Sequence, residues 1–205
     1  MYFDGSKRNS GTGAGVILIS PQGDRLKYIL RMNFPLSSNN EAEYEALLHG
    51  MRMTKACGAT RLDIYGDSNL VVQQAMNKCD AVSDNMVACR EVYNQLEAKF
   101  EGCELKHIGR LSNEEADTLA NIGSTGSTIP YGVFYEVINQ RSIQYKPPSP
   151  SVLDSGATLS ASAEASDENI ITGPAQQVFL VEAIWTRPFL AYMLCQELPE
   201  DQDVA

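Results

Sequence analysis

The sequence predicts an α/β fold: a five-stranded mixed sheet, three strands antiparallel and the rest joined by parallel crossovers, flanked by helices. Three observations predict it. Residues 13–20 form an almost continuous apolar run, and the turn Pro21-Gln22-Gly23-Asp24 joins them to residues 25–34 as a hairpin. The hydrophobic period then changes from two to between three and four in the segments that follow. Short strand-like stretches alternate with these helical segments, giving the order strand, strand, strand, helix, strand, helix, helix, strand, helix.

Taken in order, Tyr2 and Phe3 read as a strand that ends at Asp4, ahead of the loosening pair Gly5-Ser6. In the third strand Leu26, Tyr28, Leu30 and Met32 alternate, as a half-buried strand requires. Ser38-Asn39-Asn40-Glu41 matches a capping box and opens a helix over about 40–57, with Gly58 as its stop. Residues 61–65 make a short strand ending at Gly66-Asp67-Ser68, and a helix begins near Asn69. Asp84 opens a helix whose Met86, Cys89, Tyr93, Leu96 and Phe100 form an apolar stripe. Residues 104–108 are the last strand. Ser112-Asn113-Glu114-Glu115 is a second capping box, opening a helix through Ala120.

Composition divides the chain into two parts. A domain is expected over 1–125 and an acidic connector over 126–205, largely disordered. Residues 1–123 hold 13 Lys and Arg against 16 Asp and Glu, a net of −3, whereas 124–205 hold 3 against 10. Within the second part, 133–138 reads as one strand at most, and Lys146-Pro147-Pro148-Ser149-Pro150 as an extended linker. Residues 154–169 are rich in Ser, Ala and acid, and one helix is expected near 189–196. The overall charge of −10 weighs against a general phosphate-binding surface, but most of it lies outside the domain. Five cysteines without metal-ligand spacing, no bilayer-length apolar run and no leader point to a reducing, intracellular setting, cytoplasmic or nuclear. Because it starts directly on a strand, the chain reads as a segment of a longer polypeptide.

Four carboxylates occupy special places. Asp4 ends the first strand, Glu43 lies one turn into the first long helix on its apolar face, Asp67 ends the fourth strand, and Asp117 lies in the first turns of the last helix. Each alone reads as a cap or a helix N-terminal charge. Together they repel one another unless cations neutralise them, and their carboxyl groups should approach a shared point. All-carboxylate ligation selects Mg²⁺ or Mn²⁺. Two such ions about 3.5–4 Å apart are a device for phosphodiester cleavage.

The stretches Tyr2-Phe3-Asp4-Gly5-Ser6, Asn39-Asn40-Glu41-Ala42-Glu43-Tyr44, Gly66-Asp67-Ser68-Asn69-Leu70 and Asn113-Glu114-Glu115-Ala116-Asp117-Thr118-Leu119-Ala120 resemble, in order, the four signature blocks of type 1 ribonuclease H. The resemblance implies the ribonuclease H fold and hydrolysis of RNA in RNA–DNA hybrids. It implies that Asp4 bridges two Mg²⁺ ions, with Glu43, Asp67 and Asp117 completing their shells. It also implies that Asn39 and Asn40 contact the hybrid across its minor groove, with Ser6 and Asn69 as further contacts; capping and turn formation are the competing roles for these four. His107 corresponds to a proton-shuttling histidine of some members, against the reading as the last residue of a strand. His49 reads as a helix-surface residue. In style the blocks resemble the ribonuclease H region of plant gypsy-type retrotransposon polyproteins. Trp185-Thr186-Arg187-Pro188-Phe189-Leu190-Ala191-Tyr192 resembles the lead-in to integrase, which implies reverse transcriptase and integrase as neighbouring domains and a virus-like particle as the setting. Two other functions compete: an inactive binding remnant of the same fold, and a transposase or integrase acting on DNA, for which Glu101 lies near the spacing of a third acid.

Overall fold

A computed structural model describes residues 1–81 and 83–144. The elements are β1 (Tyr2–Arg8), β2 (Gly11–Ile19), β3 (Arg25–Met32), α1 (Asn39–Ala56), β4 (Arg61–Gly66), α2 (Asn69–Ala75), α3 (Asp84–Glu97), β5 (Gly102–His107), α4 (Glu114–Thr125) and β6 (Phe134–Ile138), with a 3-10 turn at Arg110–Ser112. The strands form one mixed sheet in the order β5-β4-β1-β2-β3-β6. β1, β2 and β3 are antiparallel neighbours, while β4, β5 and β6 join in parallel. The sheet therefore has six strands where five were expected. The sixth is the 133–138 stretch, which pairs with the free edge of β3 from Tyr28↔Phe134 to Met32↔Ile138.

β2 reads as an apolar run because helices cover both faces of the sheet. Val16 and Leu30 lie on the face covered by α1, joining Phe3, Tyr44, Leu47 and Met51 in the main core. Ile17 and Ile29 face the other way and pack on Ala116 and Leu119 of α4. Two glycines set the closeness of these layers. A Cβ on Gly5 would lie 2.3 Å from the backbone of Ala42 and Glu43, so only glycine lets the first turn of α1 rest against β1. A Cβ on Gly15 would lie 2.2 Å from the Ala116 carbonyl, which fixes the seat of α4 on β2.

Several local expectations change. β1 does not stop at Asp4 but continues to Arg8, with Gly5 and Ser6 paired to Ala14 and Gly13. Ser38 caps α1, accepting from the Glu41 N–H, and the Glu41 carboxylate reaches back to the Ser37 N–H. The second capping box does not form: Asn113 is the N-cap of α4 without a side-chain cap bond, and Glu115 pairs instead with Arg25 and Lys27. α4 runs on to Thr125, ending at Gly126 in the left-handed conformation that glycine adopts without strain.

The expected boundary at 125 is too early. Beyond β6, the Ser142 N–H donates to both Glu45 oxygens at 2.9 and 3.1 Å, and Arg52 donates to the Ser142 hydroxyl at 2.6 Å. Arg141 pairs with Glu41 at 3.6 Å and lies over the Phe34 ring. Half-buried His49 pairs with Glu136 of β6, so it is more than a surface residue. Residues 126–144 thus belong to the folded body. The linker around Pro147, the 154–169 stretch and the helix expected near 189–196 lie outside the described residues. Glu45 is only 3% exposed, so Glu45→Ala would leave the Ser142 N–H without its acceptor and half-buried Arg52 without a nearby opposing charge. A loss of about 1.5–3 kcal/mol in urea unfolding is expected, with new protease cuts within 126–144. Unchanged cutting would show that β6 is held without this latch.

Candidate active site

Asp4 lies mid-strand in β1, opposite Gly15, on the face that also carries Tyr2 and Ser6. β4 runs parallel beside β1, so Asp67, one residue past its end, arrives next to Asp4. α1 and α4 approach β1 from opposite faces and bring Glu43 and Asp117 to the same end of the sheet. The convergence is electrostatic as well as topological. Burial pushes the Asp4 carboxyl up to about 8, reinforced by the charges of Asp67 and Asp117 and a hydrogen bond with Asp67, against a smaller opposing pull from Arg110. Burial likewise raises Glu43 to about 9, with Asp4, Asp67 and Asp117 adding to the rise and the Gly5 N–H opposing it. A carboxyl group driven this far from its ordinary range lacks a sufficient counter-charge.

Each acid is held by neighbours. Glu43 accepts from the Gly5 N–H at 3.1 Å and from the Asn39 amide at 3.4 Å. Asp67 accepts from Asn113 at 2.8 Å. Asp117 accepts from Arg110 at 3.2 Å and from Asn121 at 2.9 Å. These bonds keep the acids adjacent but not closed around one point: among the described residues, no three His, Cys, Asp or Glu side chains stand ready to hold a metal ion. The donor set nonetheless fits hard cations, because it is all oxygen and carries charge that the protein's own groups leave uncompensated.

The remaining expected residues differ in what they face. Ser6 is buried, and its hydroxyl is engaged within the protein by Asn121 at 3.1 Å and Ser124 at 3.2 Å. The exposed Asn39 bridges the Lys7 N–H, at 2.9 Å, to Glu43. Asn40 is half-buried in the first turn of α1, and Asn69 is exposed at the start of α2, two residues from Asp67. His107 is the exposed last residue of β5, with Nε2 3.2 Å from the Asp67 carbonyl.

Three residues were missed. Asn113 donates both amide hydrogens, to the Phe3 carbonyl at 2.9 Å and to Asp67, tying β1 to β4 beneath the acids. Because both neighbours accept, the NH2 group must face them, and Oδ1 is left buried with no partner among the described residues. Arg110 and Asn121 both hold Asp117. The signal for Asn121 was present: it follows Asp117 by four residues, one helical turn on the same face. No comparable signal marked Arg110, which reaches Asp117 from the 3-10 turn.

A mixed sheet in this order, helices on both faces and four acids at one end define the ribonuclease H fold. Residues 2–123 match the family described as reverse transcriptase-like, and the chain belongs to that family. A Ribonuclease HI of Halobacterium salinarum is 32% identical over 122 residues, covering 58% of this chain and 61% of that protein. The uncharacterized protein YpeP of Bacillus subtilis is 36% identical over 131 residues, covering 58% of this chain and 56% of that one. The chain thus spans less than two thirds of the length of these curated relatives. The crystal structure of RNase H1 from Halobacterium salinarum superposes with a TM-score of 0.55 at 27% identity, covering 62% of this chain and 96% of that structure.

Proposed function

We propose that this domain is a metal-dependent endonuclease that hydrolyses the RNA strand of RNA–DNA hybrids. The observation that carries the reading is the meeting of Asp4, Glu43, Asp67 and Asp117 at one end of the sheet, where burial and neighbouring carboxylates raise Asp4 and Glu43. The likeness to a Ribonuclease HI adds support. Asp4, Glu43, Asp67 and Asp117 would hold two Mg²⁺ or Mn²⁺ ions. When bound, these ions activate water and stabilise the leaving oxygen. The chain's own residues prepare that site. Asn113 orients Asp67, and Arg110 and Asn121 fix Asp117. His107, exposed beside Asp67, would carry a proton between the site and solvent. Asn39 and Asn40, in the first turn of α1, and Asn69, at the start of α2, would contact the 2′-hydroxyls of a bound hybrid.

The quoted motifs suggest an origin in a plant gypsy-type retrotransposon polyprotein, with the domain acting inside the cell beside reverse transcriptase and integrase; the reverse transcriptase-like family supports the first of these neighbours. The test is a cleavage assay on the full chain with Mg²⁺ or Mn²⁺, offering a hybrid and a duplex DNA of the same sequence. Cutting of the RNA strand alone, leaving 3′-hydroxyl and 5′-phosphate ends, is expected. Cutting of duplex DNA would replace this reading with a DNA-processing one, and inertness toward both would leave a binding remnant.

A further inference from the structure

Asn121 occupies a junction that the four acids by themselves do not explain. Its Nδ2 donates to Asp117 Oδ2 at 2.9 Å, and its Oδ1 accepts from Ser6 Oγ at 3.1 Å and from Arg8 at 2.7 Å. The orientation of the amide is fixed by chemistry: a guanidinium only donates and an ionised carboxylate only accepts, so Oδ1 must face Arg8 and Nδ2 must face Asp117. Ser6 lies two residues beyond Asp4 and on the same face of β1. One side chain therefore ties the acid of α4 to the strand that carries Asp4, across the seam where α4 meets β1. Ser124, one turn further along, closes the arrangement by contacting Ser6 at 3.2 Å and the Asn121 carbonyl at 3.0 Å.

We propose that Asn121 is a positioning residue, setting the rotamer of Asp117 and its distance from Asp4 through the Ser6–Arg8 end of β1. Arg110 also holds Asp117, but its side chain is 79% exposed and its bond is longer, at 3.2 Å, so it cannot set the register of helix against strand. The inference rests on the hybrid-cleaving reading for its kinetic consequence, and on geometry alone for the placement of Asp117.

The experiment compares Asn121→Ala and Asn121→Gln with the unaltered full chain. It measures kcat and KM on an RNA–DNA hybrid, Mn²⁺ affinity by calorimetry without nucleic acid, and thermal unfolding. Asn121→Ala should lower kcat and weaken Mn²⁺ binding, each by about 10–100-fold, the range found when a partner that orients a metal ligand is removed. KM for the hybrid should stay within about threefold, because the Asn121 amide is engaged by Asp117, Ser6 and Arg8. Asn121→Gln keeps the donor and the acceptor and should recover part of both losses. If Asn121→Ala keeps kcat and Mn²⁺ affinity within about twofold while only its melting temperature falls, Asn121 is structural and the proposal is overturned. If the unaltered chain cuts no hybrid, the functional reading fails, and the Mn²⁺ affinities still decide the role of Asn121: an unchanged affinity overturns it.

Discussion

Asp4→Asn is expected to abolish hybrid cleavage while making the chelator-treated protein more stable at alkaline pH. Asparagine keeps the shape of the side chain but removes the charge that Glu43, Asp67 and Asp117 all oppose. A loss of about 10³-fold or more in kcat is expected, at least that seen when one electrostatic stabiliser of a developing charge is removed. The stability effect follows from proton linkage. In the unfolded chain Asp4 and Glu43 ionise near their ordinary values of 3.8 and 4.5, whereas in the folded protein they hold their protons to about 8 and about 9. The folded state therefore binds more protons throughout that window. Its advantage is full below about pH 4 and is lost as pH rises through 8 and 9. Asp4→Asn removes the share due to Asp4 and lessens the repulsion felt by Glu43, so its melting temperature should fall less between pH 5 and 9. Retained turnover in Asp4→Asn would remove Asp4 from the catalytic group, and an equally steep pH profile would show that Asp4 does not hold its proton through this range.

Gly5→Ala is expected to damage stability and activity together. The added Cβ would meet main-chain atoms of Ala42 and Glu43 at 2.3 Å, and a helix backbone cannot rotate aside as a side chain would. α1 must shift as a unit, which strains its contacts with Phe3 and Val16 and lengthens the bond from the Gly5 N–H to Glu43. Overpacking of this kind costs about 1–3 kcal/mol or more. For a chain of this size that corresponds to about 2–4 °C of melting temperature per kcal/mol. Because Glu43 moves with α1, kcat should fall even where the variant is fully folded. A variant with wild-type melting and turnover would mean that the layer has slack the glycine does not suggest.

The sequence alone determined most of the domain. Hydrophobic period, the capping signal at Ser38 and the breaks at glycine and proline depend on local physics, and they located β2, β3, α1, β4 and α3 within a few residues. The four acids were legible for a related reason: a carboxylate at a strand end or on the apolar face of a helix is costly unless something answers it, and four such anomalies point to one place. What the sequence could not decide were features created by partners distant in the chain. β1 runs past Asp4 because β2 offers it pairing partners as far as Gly11, which outweighs the turn tendency of Gly5-Ser6. β6 is a strand because the edge of β3 is open beside it, and Arg141 and Ser142 are fixed by buried Glu41 and Glu45 and half-buried Arg52 of α1. The capping box at Ser112 gives way because Asn113 takes the N-cap position, its amide drawn to the Phe3 carbonyl and Asp67 once the sheet has formed, while Glu115 pairs with Arg25 and Lys27. Ser6 is turned inward because α4, seated on Gly15, brings Asn121 and Ser124 against it. In each case a local preference of about 1 kcal/mol is overridden by hydrogen bonds and burial that exist only after helix and sheet have met.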